Sequence, residues 1–152
     1  MEKKLELGSG ERPTEGYLHQ DTTSLPGVKL DFTCNPWEVD IKEDSLSEVL
    51  ALGVMEHLRF EEFRKTLAHM RKLLKKGGAF LFDVPDMKVW SGYLYNLTHG
   101  MQKKNPFPPH HIWNTFYGWQ RWPGDEHKCG WTREELIKAV KDAGFGSIEE
   151  EQ

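Results

Sequence analysis

Leu5-Glu6-Leu7-Gly8-Ser9-Gly10 is an alternating apolar run that ends in a turn through two glycines. Such a run reads as a strand whose exit lets the backbone take positive φ and come close to a ligand, because glycine has no Cβ to clash. Working outward, similar short runs at 17–20, 28–30, 48–52 and 79–84 read as further strands. Between the last two, Phe63, Leu67, Met70, Leu73 and Leu74 recur at spacings of three and four, the stripe of an amphipathic helix over 60–75 that Lys75-Lys76-Gly77-Gly78 should end. Thr132 with Glu135 three residues on is the capping box of another helix reaching Gly144, and 147–149 reads as a sixth strand. Strands alternating with helices imply an α/β fold: a doubly wound, mainly parallel sheet between helical layers, three layers in all, binding ligands at the carboxyl ends of its strands.

Two intervals break the alternation. Residues 8–16 are too few for a full crossover helix, so the first crossover is short. Residues 87–130 are too many for a plain connection and hold four of the six tryptophans, with a fifth at Trp131, so they read as a lid or substrate wall. The whole chain, 1–152, reads as one domain.

Twenty basic residues against 24 acidic ones give a net charge of -4, which offers no grip on a phosphate backbone. No apolar run approaches the length needed to span a bilayer, and the two cysteines, Cys34 and Cys129, have no framework spacing. The expectations are therefore no nucleic acid, no membrane and a cytoplasmic setting.

Acids stand at successive strand ends. Glu6 is placed to accept from a cationic amino group or to order the glycine loop. Asp21 suits a ribose diol, or else caps the turn with Thr22 and Thr23. Asp31 suits an adenine amino group with Phe32 against the ring, or else starts a turn. Leu52-Gly53-Val54 supplies an apolar wall or ordinary core.

Taken in order, Leu5 to Gly10, Gly16 to Asp21, Asp31, Pro36-Trp37, Met55-Glu56-His57-Leu58 and Leu74-Lys75-Lys76-Gly77-Gly78 resemble the class I, Rossmann-like methyltransferases that use S-adenosylmethionine (SAM). The tail, with His127-Lys128-Cys129-Gly130-Trp131-Thr132 and Ala143-Gly144-Phe145, is similar to theirs as well. The resemblance implies a seven-stranded sheet with SAM across the first strand ends, methyl transfer leaving S-adenosylhomocysteine, and a cofactor site at Glu6, Gly8, Ser9, Gly10, Asp21, Asp31, Phe32, Leu52, Gly53 and Val54. Arg12 stands where the fuller glycine motif has a third glycine, and the final antiparallel strand of the family finds no counterpart by Gln152. An edge left open in that way would be covered by a second copy of the chain.

Methyl transfer leans on positioning, and a base is needed only for a protonated acceptor. His57, His111, His127 and Tyr117 are the candidates, His57 equally as a pocket-lining residue and His127 equally as an anchor for the insertion. No metal is expected, since His127 and Cys129 lack a second paired ligand set. The acceptor is expected to be a small molecule but is not legible in the chain. Aminopropyl transfer would want clustered acids, and a dehydrogenase fingerprint fails at Pro13. The competing reading from another class is a SAM- or nucleotide-binding module without turnover, acting as a partner or regulatory subunit.

Overall fold

In chain order the strands are β1 (Lys3–Leu7), β2 (Leu18–Asp21), β3 (Phe32–Thr33), β4 (Leu46–Ala51) and β5 (Leu74–Phe82). The helices are α1 (Phe60–Leu73), α2 (Met87–Thr98), α3 (Pro109–Tyr117) and α4 (Arg133–Asp142). These come from a computed structural model, which describes residues 2–150. Every pairing is parallel and the spatial order is β3-β2-β1-β4-β5. The chain thus lays strands to one side of β1, then returns to lay β4 and β5 on the other. That reversal, between β1 and β4, is the topological switch point of an open parallel sheet.

Alternation along the strands sorts the two faces. Leu5, Leu7, Val49 and Ala51 are wholly buried and belong to one core with Phe63, Leu67 and Met70 of α1 and Ala139 and Val140 of α4. Phe82 meets Phe63 edge-on at 5.9 Å, and Arg71 Nε donates to Gly144 O, so α1 and α4 lie side by side on this face. Trimming Phe63 to alanine there would cost about 3–5 kcal/mol. On the opposite face the short first crossover runs as a loop whose Thr14 bonds both Glu6 and His19. Leu81, on that same face, stays 43% exposed. The seven strands implied by the resemblance are five among the described residues.

Three sequence expectations shift. The third strand forms at Phe32–Thr33 rather than 28–30, because Asp31 fixes the register: its amide donates to His19 O and its carboxylate accepts from His19 N–H. Helix α1 stops at Leu73 and β5 begins at once, so Lys75 to Gly78 lie inside the strand instead of capping the helix. They form a bulge there: Leu46 pairs with Leu74, but Glu48 pairs with Ala79, and Gly77 takes φ 79°. Residues 147–149 form no strand. The capping box of α4 forms as read, Glu135 N–H donating to Thr132 Oγ1 and Thr132 N–H to Glu135 Oε2. No helix among the described residues is long and apolar enough to cross a membrane.

Candidate functional site

The glycine loop leaves β1 at the switch point. Gly8 and Gly10 take φ of 60° and 56°, a conformation that side chains resist. The tip of β2 secures them: Gly8 N–H donates to Gln20 Oε1 at 3.2 Å and Gly10 N–H to Asp21 Oδ2 at 3.0 Å. Across the gap, Val54 stands so close to Gly8 that a Cβ there would lie 2.5 Å from Val54 Cγ2. By contrast a Cβ on Gly10 would meet nothing nearer than Gly8 O at 3.9 Å, and one on Gly53 nothing within 4 Å. Leu52, which opens the loop after β4, is 60% exposed. The loops therefore make a crevice that is closed at its base by Gly8 and Val54 and open above Gly10 and Gly53.

The strand-end acids divide into two groups. Asp21 belongs with the glycines, its second oxygen accepting from Thr23 N–H. Glu6 and Asp31 instead flank the His19 ring, with His19 Nε2 3.6 Å from Glu6 Oε2 and Nδ1 3.8 Å from Asp31 Oδ2. Both Glu6 oxygens are occupied by Thr14, whose N–H and Oγ1 donate at 2.8 and 2.6 Å. That geometry is the loop-ordering alternative for Glu6. Asp31 borders a hollow of about 420 Å³ with His19, Lys29, Glu11 and Pro13, the last two from the segment that follows Gly10. Phe32 packs against the core, and Ser9 is buried with its hydroxyl unpartnered among the described residues.

A separate hollow of about 310 Å³ lies where β4 and β5 end, lined by Glu56, Asp83, Val84 and Pro85 below and by Trp90, His111, Asn114, Thr115, Trp119 and His127 from the insertion above. The insertion earns its aromatic content here. Phe107 stacks on His111 at 4.9 Å and Trp90 on Phe107 at 5.0 Å, so α2 and α3 hold each other through rings. Asp83 Oδ1 accepts from Gly53 N–H at 2.7 Å, which ties this hollow to the mouth of the glycine crevice.

Of the catalytic candidates, His111 and His127 face the hollow, and His57 stands behind with its ring edge-on to His127 at 5.0 Å. Tyr117 is 58% exposed and stacks on Trp113 away from the hollow. His127 Nδ1 bonds to Thr115 O at 2.7 Å and its amide donates to Tyr117 O, so it does anchor the insertion. Burial pushes the Cys129 thiol up to about 11, and Sγ turns toward Met55 O. Burial likewise raises the Glu56 carboxyl, against the downward pull of its backbone hydrogen bond and of His57 and His127. Sequence reasoning passed over Asp83, Trp90 and Trp119. Asp83 was findable as one more acid at a strand end, whereas the tryptophans carry no positional signal.

Solved structures resemble this geometry. One is a Burkholderia thailandensis 1,6-didemethyltoxoflavin-N1-methyltransferase with bound 1,6-didemethyltoxoflavin and S-adenosylhomocysteine, 16% identical over 96% of this chain and 61% of that one, with a TM-score of 0.59. Another is a Haloferax volcanii complex of a methyltransferase with the activator Trm112, 16% identical over 97% of this chain and 63% of that one, TM-score 0.60. A third, the PH0226 protein of Pyrococcus horikoshii, is 12% identical over 93% and 74% of the two chains, TM-score 0.54. The chain spans about three fifths of the length of the first two. No family model and no curated protein matches the sequence. What fold and site define together is a Rossmann-like α/β chain. More narrowly, it has the class I methyltransferase fold.

Proposed function

We propose that this chain is a SAM-dependent methyltransferase acting on a small molecule held in the hollow between β4, β5 and the insertion. One observation carries the reading: the glycine loop sits at the switch point of the sheet and its crevice stays open above Gly10 and Gly53, beside a second, aromatic-walled hollow. The residues fit the cofactor: Gly10 and Gly53 leave room for it, Asp21 stands at the β2 tip for a diol, and Leu52 offers an apolar wall. Bound there, SAM supplies an electrophilic methyl group. The chain's own part is positioning and exclusion of water. Trp90, His111 and Trp119 wall the acceptor, and Asn114 and Thr115 offer polar atoms to orient it. A volume of about 310 Å³ is at the small end of small-molecule sites, which supports a small acceptor. The Burkholderia relative, crystallised with S-adenosylhomocysteine, supports the cofactor.

Calorimetric titration with SAM and with S-adenosylhomocysteine tests the reading. Saturable heat and a raised melting temperature are expected; neither at ~1 mM ligand overturns it. Incubation with methyl-labelled SAM and a panel of small acceptors then separates turnover from mere binding.

A further inference from the structure

We infer that Glu56, His57 and His127 form a site for a first-row divalent metal ion at one side of the acceptor hollow. One ligand atom from each of the three lies within 4.8 Å of the others. Two imidazoles and a carboxylate are the donor set that zinc, cobalt(II) and iron(II) share, with further positions left for water or substrate. Bonds of about 2.0–2.2 Å set neighbouring ligand atoms about 3.3–3.5 Å apart, so binding draws the three side chains together from spacings of up to 4.8 Å.

Three features go beyond proximity. First, the tautomers are fixed for coordination. His57 Nδ1 contacts Glu126 O at 3.1 Å and His127 Nδ1 contacts Thr115 O at 2.7 Å. A carbonyl oxygen only accepts, so each Nδ1 carries the proton and each Nε2 keeps its lone pair free. That is the outer-shell arrangement typical of metal-bound histidine. Second, Glu56 is 9% exposed, faces the hollow, and its Oε2 is buried without a hydrogen-bond partner among the described residues. A buried carboxylate oxygen with no donor is costly, and a cation beside it answers that cost. Third, the two halves are stitched together: Glu56 O accepts from Lys128 N–H at 2.9 Å and Cys129 N–H at 3.4 Å, so the His127 segment is held against the Glu56-His57 turn. A site preorganised in this way needs little ordering on binding.

The test is metal binding by the whole chain without SAM, so its result is independent of the cofactor reading. Zinc is titrated calorimetrically, and cobalt(II) is followed by its visible absorption. One equivalent binding with a Kd of about 1 μM or tighter is expected, with zinc displacing cobalt. Glu56→Gln, His57→Gln and His127→Gln should each weaken zinc at least tenfold, while His110→Gln, an exposed histidine outside the cluster, should not. His57→Gln and His127→Gln also lose a hydrogen bond to a carbonyl, so folding of every variant is checked by circular dichroism and Glu56→Gln decides if either unfolds. No stoichiometric zinc binding by the unaltered chain at ~100 μM overturns the inference. Binding that survives Glu56→Gln does so too.

Discussion

Gly8 and Val54 are packed so tightly that a single carbon added to Gly8 would stand 2.5 Å from Val54 Cγ2. The contact joins the loop after β1 to the loop after β4 and forms the base of the crevice. Gly8→Ala should cost about 2–4 kcal/mol, combining positive-φ strain of about 1–2 kcal/mol with the clash. Adding Val54→Ala should remove the clash and leave the strain. Urea denaturation of the two single variants and the double one measures this; strictly additive losses would mean that the two residues do not press on each other.

Glu6 was legible as an acid at a strand end, but the partner it holds was not. Its two oxygens hold Thr14, and through Thr14 the short crossover. Glu6→Gln and Thr14→Val should therefore each lower SAM affinity by a similar factor, about 3–10, and the double variant should be hardly worse. A loss confined to Glu6→Gln in the titrations would show direct ligand contact instead.

What the sequence reveals and hides follows from the range of each interaction. Helix α1 is legible because Phe63, Leu67 and Met70 repeat locally against one face. The bulge at Gly77 is not: glycine after lysines also ends helices, and only pairing with Leu46 and Glu48 decides which it does. The position of β3 likewise depends on His19, two strands' length away in sequence, meeting Asp31. The site was hardest. Glu56-His57 and His127 are 70 residues apart, and no local pattern announces that a carbonyl of one segment receives two amides of the other.

Tyr17 donates to the Glu48 carboxylate, and that bond, with burial behind it, raises the phenol from 10.0 to about 12. Since the folded value lies above the unfolded one, the contribution to stability is complete below pH 10 and is lost as pH climbs toward 12. In an ultraviolet titration one of the four tyrosines should ionise last, near pH 12. Tyr17→Phe should abolish that late step and cost about 1 kcal/mol at neutral pH. A late step that persists in the variant belongs to another tyrosine, and the assignment fails.

Glu56 shows the opposite side of the same linkage. Burial raises its carboxyl above the ordinary value of 4.5 in the folded chain, more than its backbone hydrogen bond and the nearby histidines lower it. Folding therefore favours the proton, and this group's stabilisation is full below about pH 4.5 and lost as pH rises through the folded value. At pH 8 with a chelator present, the ionised, unpartnered oxygen is a net cost, and Glu56→Gln should melt higher by about 2–4 °C, or about 1 kcal/mol. At pH 4 the two should melt together. Melting curves across that range decide the matter, because parallel profiles would mean that the carboxylate already has a partner. Zinc supplied in place of the chelator should reverse the order at pH 8, since only the unaltered chain keeps the carboxylate that the ion requires.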